Sequence, residues 1–178
     1  MNAIELLKQD HETVRRLFAE LRSTPKQSAD RRAQLLEQLA REIQVHSALE
    51  EEIFYPAFKQ VVGEGDKEAL YFEALEEHRA VGDLVLPDLL ATDPGTDRFS
   101  GRAKVLKEMI EHHVREEESE MFPAAEQMLG AERLQQLGQS MSARKAELMD
   151  TALEALATRS TLGMGASAGA SSNGATFR

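Results

Sequence analysis

The sequence predicts an all-α protein: an up-down four-helix bundle made of two repeated helix pairs, followed by an additional C-terminal amphipathic helix. Long stretches rich in Glu, Leu, Ala, Arg and Gln alternate with short segments that contain Gly or Pro. Within the long stretches, apolar residues recur every three or four positions, which is the period of a helix with one buried face. The histidines also repeat when the chain is shifted by 67 residues, the separation of His11 and His78.

The first helix pair is predicted over residues 2–22 and 29–60, joined by the loop STPKQS. Each helix carries an apolar stripe that also contains metal-type side chains. His11 lies on the first stripe, and His46 and Glu50 lie on the second. The apolar members of the two stripes are Ile4, Leu7, Val14, Phe18, Leu21, Leu36, Leu39, Ile43 and Ile53.

The second helix pair is predicted over residues 66–91 and 98–128, with the loop TDPGTD between its helices. His78 lies on the inward stripe of the third helix, and His113 and Glu117 lie on that of the fourth. Pro56 and Pro123 stand near the ends of the two long helices. Because proline lacks an N–H, each should kink its helix or interrupt the regular hydrogen bonding beside the polar residues.

A fifth amphipathic helix is predicted over residues 131–158, after Gly130, with Leu134, Leu137 and Met141 on one face. This face either caps the bundle or forms the seam of a homodimer. Residues 1–130 would then form the bundle domain. Residues 159–178 are rich in Gly, Ala and Ser, a composition that predicts a disordered tail.

Both halves carry the same set of polar residues: a His, then His-x-x-x-Glu 35 residues later, then a Pro. The segments are HSALEEEIFYP and HVREEESEMFP. Side chains four apart lie on one face of a helix, so each His and Glu pair can point inward together. Burying imidazoles and carboxylates without a partner is costly, and a metal removes that cost. The predicted metal ligands are His11, His46, Glu50, His78, His113 and Glu117.

Other ligand sets remain open at this stage. Helical periodicity alone does not separate His112 from His113, and His112 with Glu116 is a rival pair that the repeat disfavours. Glu51 and Glu118 also recur at the same offset, so either is an alternative ligand or part of a solvated charge run. A ferritin-like oxidase would place Glu-x-x-His on its helices, and structural zinc prefers four ligands that often include Cys, so both fit poorly.

Composition excludes several classes of protein. With no cysteine, the chain has no disulfide, thiolate ligand or iron–sulfur cluster. The net charge of −10 argues against nucleic acid as a partner, because binding it requires a basic face. No segment has the apolar length of a signal peptide or membrane span, so we expect a cytoplasmic protein that does not bind membranes.

The motif His11, His46-x-x-x-Glu50, His78, His113-x-x-x-Glu117 resembles that of the hemerythrin-like family, also called the HHE cation-binding domain. The similarity covers about residues 5–125. It implies a four-helix bundle around two non-haem iron ions with a bridging oxo or hydroxo group. By this resemblance, Glu50 and Glu117 would bridge the irons, and the four histidines would be terminal ligands.

One departure from the oxygen carriers of that family bears on function. They have an additional His one turn before the third-helix His, where this chain has Ala74. The coordination is therefore more open, which favours hydrogen peroxide decomposition or reaction with nitric oxide or oxygen over clean oxygen carriage. Tyr71 and Tyr55 are candidates either for an extra metal ligand or for a side chain that contacts the ligands. His112 is a candidate for such a contact. The alternative is reversible oxygen or nitric oxide binding, sensing or iron storage, and the sequence leaves open whether the chain is an enzyme.

Overall fold

Within residues 1–165, seven α-helices joined by loops and π-helical turns form a four-helix bundle with an additional C-terminal helical segment. The computed structural model describes residues 1–165, except for the side chains of Asp66 and of residues 152–165. This part of the chain contains no strand. The helices are α1 Ala3–Ser23, α2 Ala29–Leu49, α3 Tyr55–Val61, α4 Asp66–Arg79, α5 Leu86–Leu90, α6 Asp97–Glu116 and α7 Phe122–Gly165. The all-α bundle with an added C-terminal helix is the predicted fold, and it is confirmed.

Three π-helical turns interrupt the bundle helices, at Glu50–Phe54, Ala80–Val85 and Glu117–Met121. In each, the first residue after the turn donates its N–H to a carbonyl five residues back, as Tyr55 does to Glu50. Each turn is also followed by a proline at the second position beyond it. Since proline has no N–H and crowds the carbonyl four residues back, the wider turn relieves a conflict that a regular helix would have. The interruptions expected near Pro56 and Pro123 are therefore present, and Pro87 adds a third.

Local sequence fixes the start of α1. The Asn2 side chain accepts a hydrogen bond from the Glu5 backbone N–H at 2.9 Å, and the Glu5 carboxylate accepts one from the Asn2 N–H at the same distance. This reciprocal capping box satisfies two N–H groups that have no partner inside the helix. It sets the register of α1, and so the direction in which His11 points.

The apolar core is divided into two clusters, and the polar residues lie between them. One cluster contains Leu7 and Leu49, and the other contains Val14 and Ile43. His11 falls between Leu7 and Val14 along α1, and His46 falls between Ile43 and Leu49 along α2. The predicted ligands therefore form a polar layer between two apolar ones, which keeps water away from it.

The C-terminal segment of α7 packs on the bundle. Gly130 has φ 74°, a left-handed conformation that glycine adopts readily, and the chain bends there. Beyond the bend, Leu134, Leu137 and Met141 are buried in the core cluster that contains Leu7. Of the two alternatives from the sequence, this face therefore caps the bundle, and a homodimer through it stays an untested prediction.

The C-terminal helix extends to Gly165, beyond the predicted end at residue 158. Residues 166–178, most of the predicted tail, lie outside the described residues. None of the described helices combines the length and the apolar character that crossing a membrane requires.

Candidate metal centre

All six predicted ligands meet in the buried polar layer. His11 comes from α1, His46 from α2, His78 from α4 and His113 from α6. Glu50 and Glu117 occupy the first positions of two π-helical turns. Two overlapping groups have ligand atoms within 4.8 Å of one another: His11, His46, Glu50 and Glu117, and then Glu50, His78 and His113. The first group is called site 1 below, and the second is called site 2.

Each buried carboxylate faces one histidine from each half of the repeat. Oε2 of Glu50 lies 3.2 Å from Nε2 of His46 and 3.3 Å from Nε2 of His78. Oε2 of Glu117 lies 3.2 Å from Nε2 of His11 and 3.5 Å from Nε2 of His113. Glu50 belongs to both sites, which is the arrangement that a carboxylate bridging two cations requires.

The Nε2 atoms of the four histidines point toward one another, as the ligand atoms of a metal site do. Nε2 of His78 lies 3.1 Å from Nε2 of His113, and the His11 and His46 ring centroids are 4.8 Å apart. Several inward atoms in the described chain are buried without a hydrogen-bond partner, namely Nε2 of His11, Nε2 of His46, Oε1 of Glu50 and Oε2 of Glu117. Such atoms are costly in a dry core unless a cation engages them. The residues present therefore fit a metal pair held by imidazole and carboxylate.

Three of the four outward nitrogens are hydrogen-bonded to carboxylates, and this keeps Nε2 of those rings free to face inward. Nδ1 of His11 lies 2.8 Å from Glu118, Nδ1 of His78 2.8 Å from Glu51, and Nδ1 of His113 2.7 Å from Glu77. The fourth carboxylate, Asp10, is farther from its histidine, with Oδ2 3.7 Å from Nδ1 of His46. A carboxylate that accepts from Nδ1–H fixes the ring orientation and strengthens the other nitrogen as a ligand.

Two of these outer carboxylates were missed in the sequence, although the repeat marks them. Asp10 and Glu77 each stand one residue before a ligand histidine, so they are related by the same 67-residue shift as His11 and His78. Two of the outer carboxylates pair with a histidine of the other repeat half: Glu118 is hydrogen-bonded to His11, and Glu51 to His78. The pseudo-twofold pattern thus extends past the ligands to the residues that orient them.

The metal-free centre already favours positive charge. Burial alone would lower the pKa of His46, but the negative charge of Glu50 and the nearby Asp10 carboxylate raise it to about 10. Burial also opposes the charged form of His78, and Glu50 and Glu51 raise its pKa to about 9. Burial would raise the pKa of Glu50, yet His46 lowers it well below its usual range. A metal ion that binds here must displace protons from the imidazoles.

Tyr55 breaks the symmetry of the centre. Its hydroxyl donates to Oε1 of Glu117 at 2.9 Å and lies 3.4 Å from Nε2 of His78 and 3.5 Å from Nε2 of His113. Tyr55 stands five residues after Glu50, and the π-helical turn between them brings both onto the same side. The repeat-related residue is Phe122, whose ring stacks on His11 at 5.8 Å. Site 2 therefore has a buried hydroxyl where site 1 has a phenyl ring.

The other residues singled out in the sequence lie farther out. Tyr71 contacts the ring of Tyr55 edge to face at 6.3 Å and, within the described chain, has no side-chain hydrogen bond. His112 is half exposed and lies 3.3 Å from Glu116 and 3.6 Å from Glu77. With Glu77 and Glu116 it forms a partly exposed group separate from the buried sites. The structure thus brings His113, and not His112, into the polar layer.

A small cavity lies beside the polar layer. Its volume is about 30 Å³, enough for one or two molecules of the size of water. All four ligand histidines contribute to its wall. The remaining wall is mostly apolar and includes Val14, Ile43, Val81, Ile110 and Val114. A molecule in this cavity would be small and would contact the histidines directly.

Comparisons with known proteins agree with this geometry. Residues 2–125 match the hemerythrin HHE cation binding domain. The chain is 30% identical over 148 residues to a DNA nickase of Nostoc sp., a match that covers 83% of this chain and only 40% of that protein. It is 28% identical over 164 residues to the uncharacterized protein Rv2633c of Mycobacterium tuberculosis, covering 89% of this chain and 94% of that one.

A solved structure supports the same relationship. It is the crystal structure of a hemerythrin HHE cation binding domain-containing protein from Mycobacterium kansasii, described as the Rv2633c homolog. The two chains superpose with a TM-score of 0.77 at 30% identity, over 89% of this chain and 93% of that one. Together with the family match over residues 2–125, this similarity shows that the chain belongs to the hemerythrin HHE cation-binding family.

Proposed function

We propose that this chain is a non-haem di-iron protein that reacts with small oxidants, with hydrogen peroxide as the main substrate and nitric oxide or oxygen as the other candidates. The balanced reaction would be catalase-like: two molecules of hydrogen peroxide give two of water and one of oxygen. The two iron ions, joined by an oxo or hydroxo group, would supply the electron exchange that no side chain of the centre provides.

One observation carries this proposal: the two overlapping ligand sites adjoin a cavity of only about 30 Å³. Six ligands with bidentate carboxylates would fill about eight of roughly twelve coordination positions of two six-coordinate ions. The cavity admits ligands of the size of peroxide or a diatomic molecule, and its apolar wall favours uncharged ones. Ala74, which stands where oxygen carriers of the family have a fifth His, supplies no ligand atom and leaves the coordination more open.

The chain's own residues would position the metals and manage protons. Glu50, which is shared by both sites, and Glu117, whose Oε2 faces His11 and His113, would hold the two ions together with the four histidines. Tyr55 holds a proton on its hydroxyl 2.9 Å from Glu117. Burial, together with the charges of Glu117 and Glu50, raises the pKa of Tyr55 well above its ordinary value. Tyr55 would therefore be a hydrogen-bond donor within reach of a ligand bound at site 2.

The experiment is oxygen evolution from hydrogen peroxide by iron-loaded protein, measured with an oxygen electrode. We expect wild-type protein to evolve oxygen, and His113→Ala and Glu50→Ala to lose most of this activity together with their iron. His112→Ala is the matched control, because it removes a neighbouring imidazole that is half exposed and outside the two buried sites. It should keep both iron and activity.

Three outcomes would overturn the proposal. Iron-loaded wild-type protein that reacts with neither peroxide nor nitric oxide would exclude a role in oxidant chemistry. Equal loss of activity in His112→Ala and His113→Ala would show that the buried sites are not where the reaction occurs. A stable, reversible spectrum on adding and removing oxygen, with no turnover of peroxide, would favour the alternative of a carrier, sensor or iron store.

The DNA nickase activity named for the Nostoc relative is not proposed for this chain. The match covers 40% of that protein, and the net charge of −10 opposes binding to a polyanion. We propose a cytoplasmic location as well, which cell fractionation with a specific antibody would test. Recovery of the protein in a membrane or extracellular fraction would contradict it.

A further inference from the structure

The C-terminal segment of α7 contacts the metal centre through a partly buried ion pair. Lys145 Nζ donates a hydrogen bond to Oδ1 of Asp10 and forms an ion pair with it. Asp10 is only 4% exposed. The other oxygen of Asp10 points toward Nδ1 of His46 at 3.7 Å. Oδ2 of Asp10 and Nδ1 of His46 are both buried without a hydrogen-bond partner. Lys145 stands outside residues 2–125, so the pair adds to the matched family domain from beyond it.

Asp10 differs from the other three outer carboxylates in its distance to the histidine that it faces. The carboxylates of Glu118, Glu51 and Glu77 lie 2.7–2.8 Å from their histidines. Asp10 has the shortest side chain of the four and the longest distance to its ring. Its repeat-related counterpart Glu77 also faces His112, and among the ion pairs of the described residues it has no lysine or arginine partner.

We infer that Lys145 is a positioning residue for site 1: its ion pair holds the Asp10 carboxylate beside Nδ1 of His46, and the carboxylate in this place keeps the ring turned so that Nε2 faces the metal. A buried carboxylate without a cation partner would turn toward solvent, and from there it would orient the His46 ring less well. Lys145 itself binds no metal. The C-terminal segment therefore belongs functionally to the centre, although it contributes no ligand.

A second ion pair on the same helix provides a matched comparison. Arg144 donates to the Glu52 carboxylate at 2.8 and 3.1 Å, and both side chains are substantially exposed. Like Lys145, Arg144 ties the C-terminal segment to the bundle. Neither Arg144 nor Glu52 contacts a ligand histidine among the described contacts. Removing this pair tests attachment of the helix without disturbing Asp10.

The experiment is a calorimetric and optical titration of metal-free protein with Co²⁺. Wild-type protein should bind about two Co²⁺ ions with distinct d–d bands, and His46→Ala identifies the band and the affinity that belong to site 1. Lys145→Met should weaken that site by about 10–100-fold, the range found when a group that orients a ligand is lost, and leave the other site unchanged. Lys145→Arg should restore the affinity, and Arg144→Met should leave both sites as in the wild type.

A double-mutant cycle shows whether Lys145 acts through Asp10. Asp10→Asn should weaken site 1 as Lys145→Met does, and the two changes together should cost no more than Asp10→Asn alone. Additive losses would overturn the inference. So would a loss spread equally over both sites, or the same loss in Arg144→Met. If Lys145→Met fails to fold by circular dichroism, Lys145→Gln replaces it, and it must give the same site-selective loss.

This inference rests on metal binding by the two sites, and not on iron or peroxide. Wild-type protein that binds no Co²⁺ would refute the metal centre itself. Wild-type protein that binds Co²⁺ at two sites, with Lys145→Met indistinguishable from it, would refute only the role of Lys145. The two failures are therefore distinguishable in one titration.

Discussion

Replacing Tyr55 by Phe removes one oxygen atom from the most buried tyrosine and should lower stability measurably. Tyr55 is 0% exposed, and its hydroxyl donates to Glu117 at 2.9 Å. A hydrogen bond to a charged group contributes about 1.5–3 kcal/mol. In a chain of this size, each 1 kcal/mol corresponds to about 2–4 °C in the midpoint of thermal unfolding. The metal-free Tyr55→Phe variant should therefore unfold roughly 3–12 °C below the wild type.

The assay is thermal and urea unfolding of metal-free protein near neutral pH, followed by circular dichroism. Tyr71→Phe is the matched control, because Tyr71 is partly buried and its hydroxyl makes no side-chain hydrogen bond within the described residues. It should stay within about 0.5 kcal/mol of the wild type. Equal stability of Tyr55→Phe and the wild type, or an equal loss in both variants, would refute the role assigned to the Tyr55 hydroxyl.

Three further predictions concern a carboxylate beside a ligand histidine, the packing of the C-terminal segment, and the protonation of the imidazoles. Glu77→Ala should weaken metal binding by about 10–100-fold, because Glu77 orients His113, while Glu76→Ala should leave the calorimetric affinity unchanged. Gly138→Ala should destabilise by about 1–3 kcal/mol in urea unfolding, because its Cβ would meet backbone atoms of residues 1–3 at 2.6–2.8 Å. Metal binding at pH 7 should release protons and strengthen as pH rises, because the pKa of His46 is raised to about 10; calorimetry in buffers of different ionisation enthalpy measures this.

A specific experimental result would refute each of these three predictions. Glu76→Ala and Glu77→Ala with the same affinity would mean that the carboxylate beside His113 does not orient it. A Gly138→Ala variant as stable as the wild type would mean that the C-terminal segment does not approach α1 as closely as described. Metal affinity that is flat between pH 6 and 9, with no proton release, would mean that the imidazoles are already neutral in the metal-free centre.

The repeat explains why so much of the site could be predicted from sequence. Helical periodicity placed several histidines on inward stripes, and the 67-residue shift chose His113 over His112. The inward stripes do not include Asp10 and Glu77, because each of these residues stands one position before a ligand histidine. The repeat shift alone would have found them as a pair, although only the folded structure shows which nitrogen each one faces.

Other features depend on geometry that a one-dimensional pattern does not contain. In a regular α-helix, Tyr55 would point well away from the face that Glu50 presents, and the π-helical turn changes this. The prolines predicted an interruption near each site, but not that the wider turn would bring a hydroxyl to site 2. The contact between Lys145 and Asp10 joins residues 135 apart and has no counterpart in the repeat, so periodicity gives no sign of it.

The most direct test of a di-iron centre is the metal content of purified protein, with an optical spectrum recorded before and after adding peroxide. The account predicts about two irons per chain, oxo-bridged ferric bands, and a change in those bands on adding peroxide. Removing Glu50 or His113 should remove both the metal and the bands. Zinc in place of iron, or a single metal per chain without visible absorption, would contradict the di-iron centre and with it the proposed peroxide chemistry.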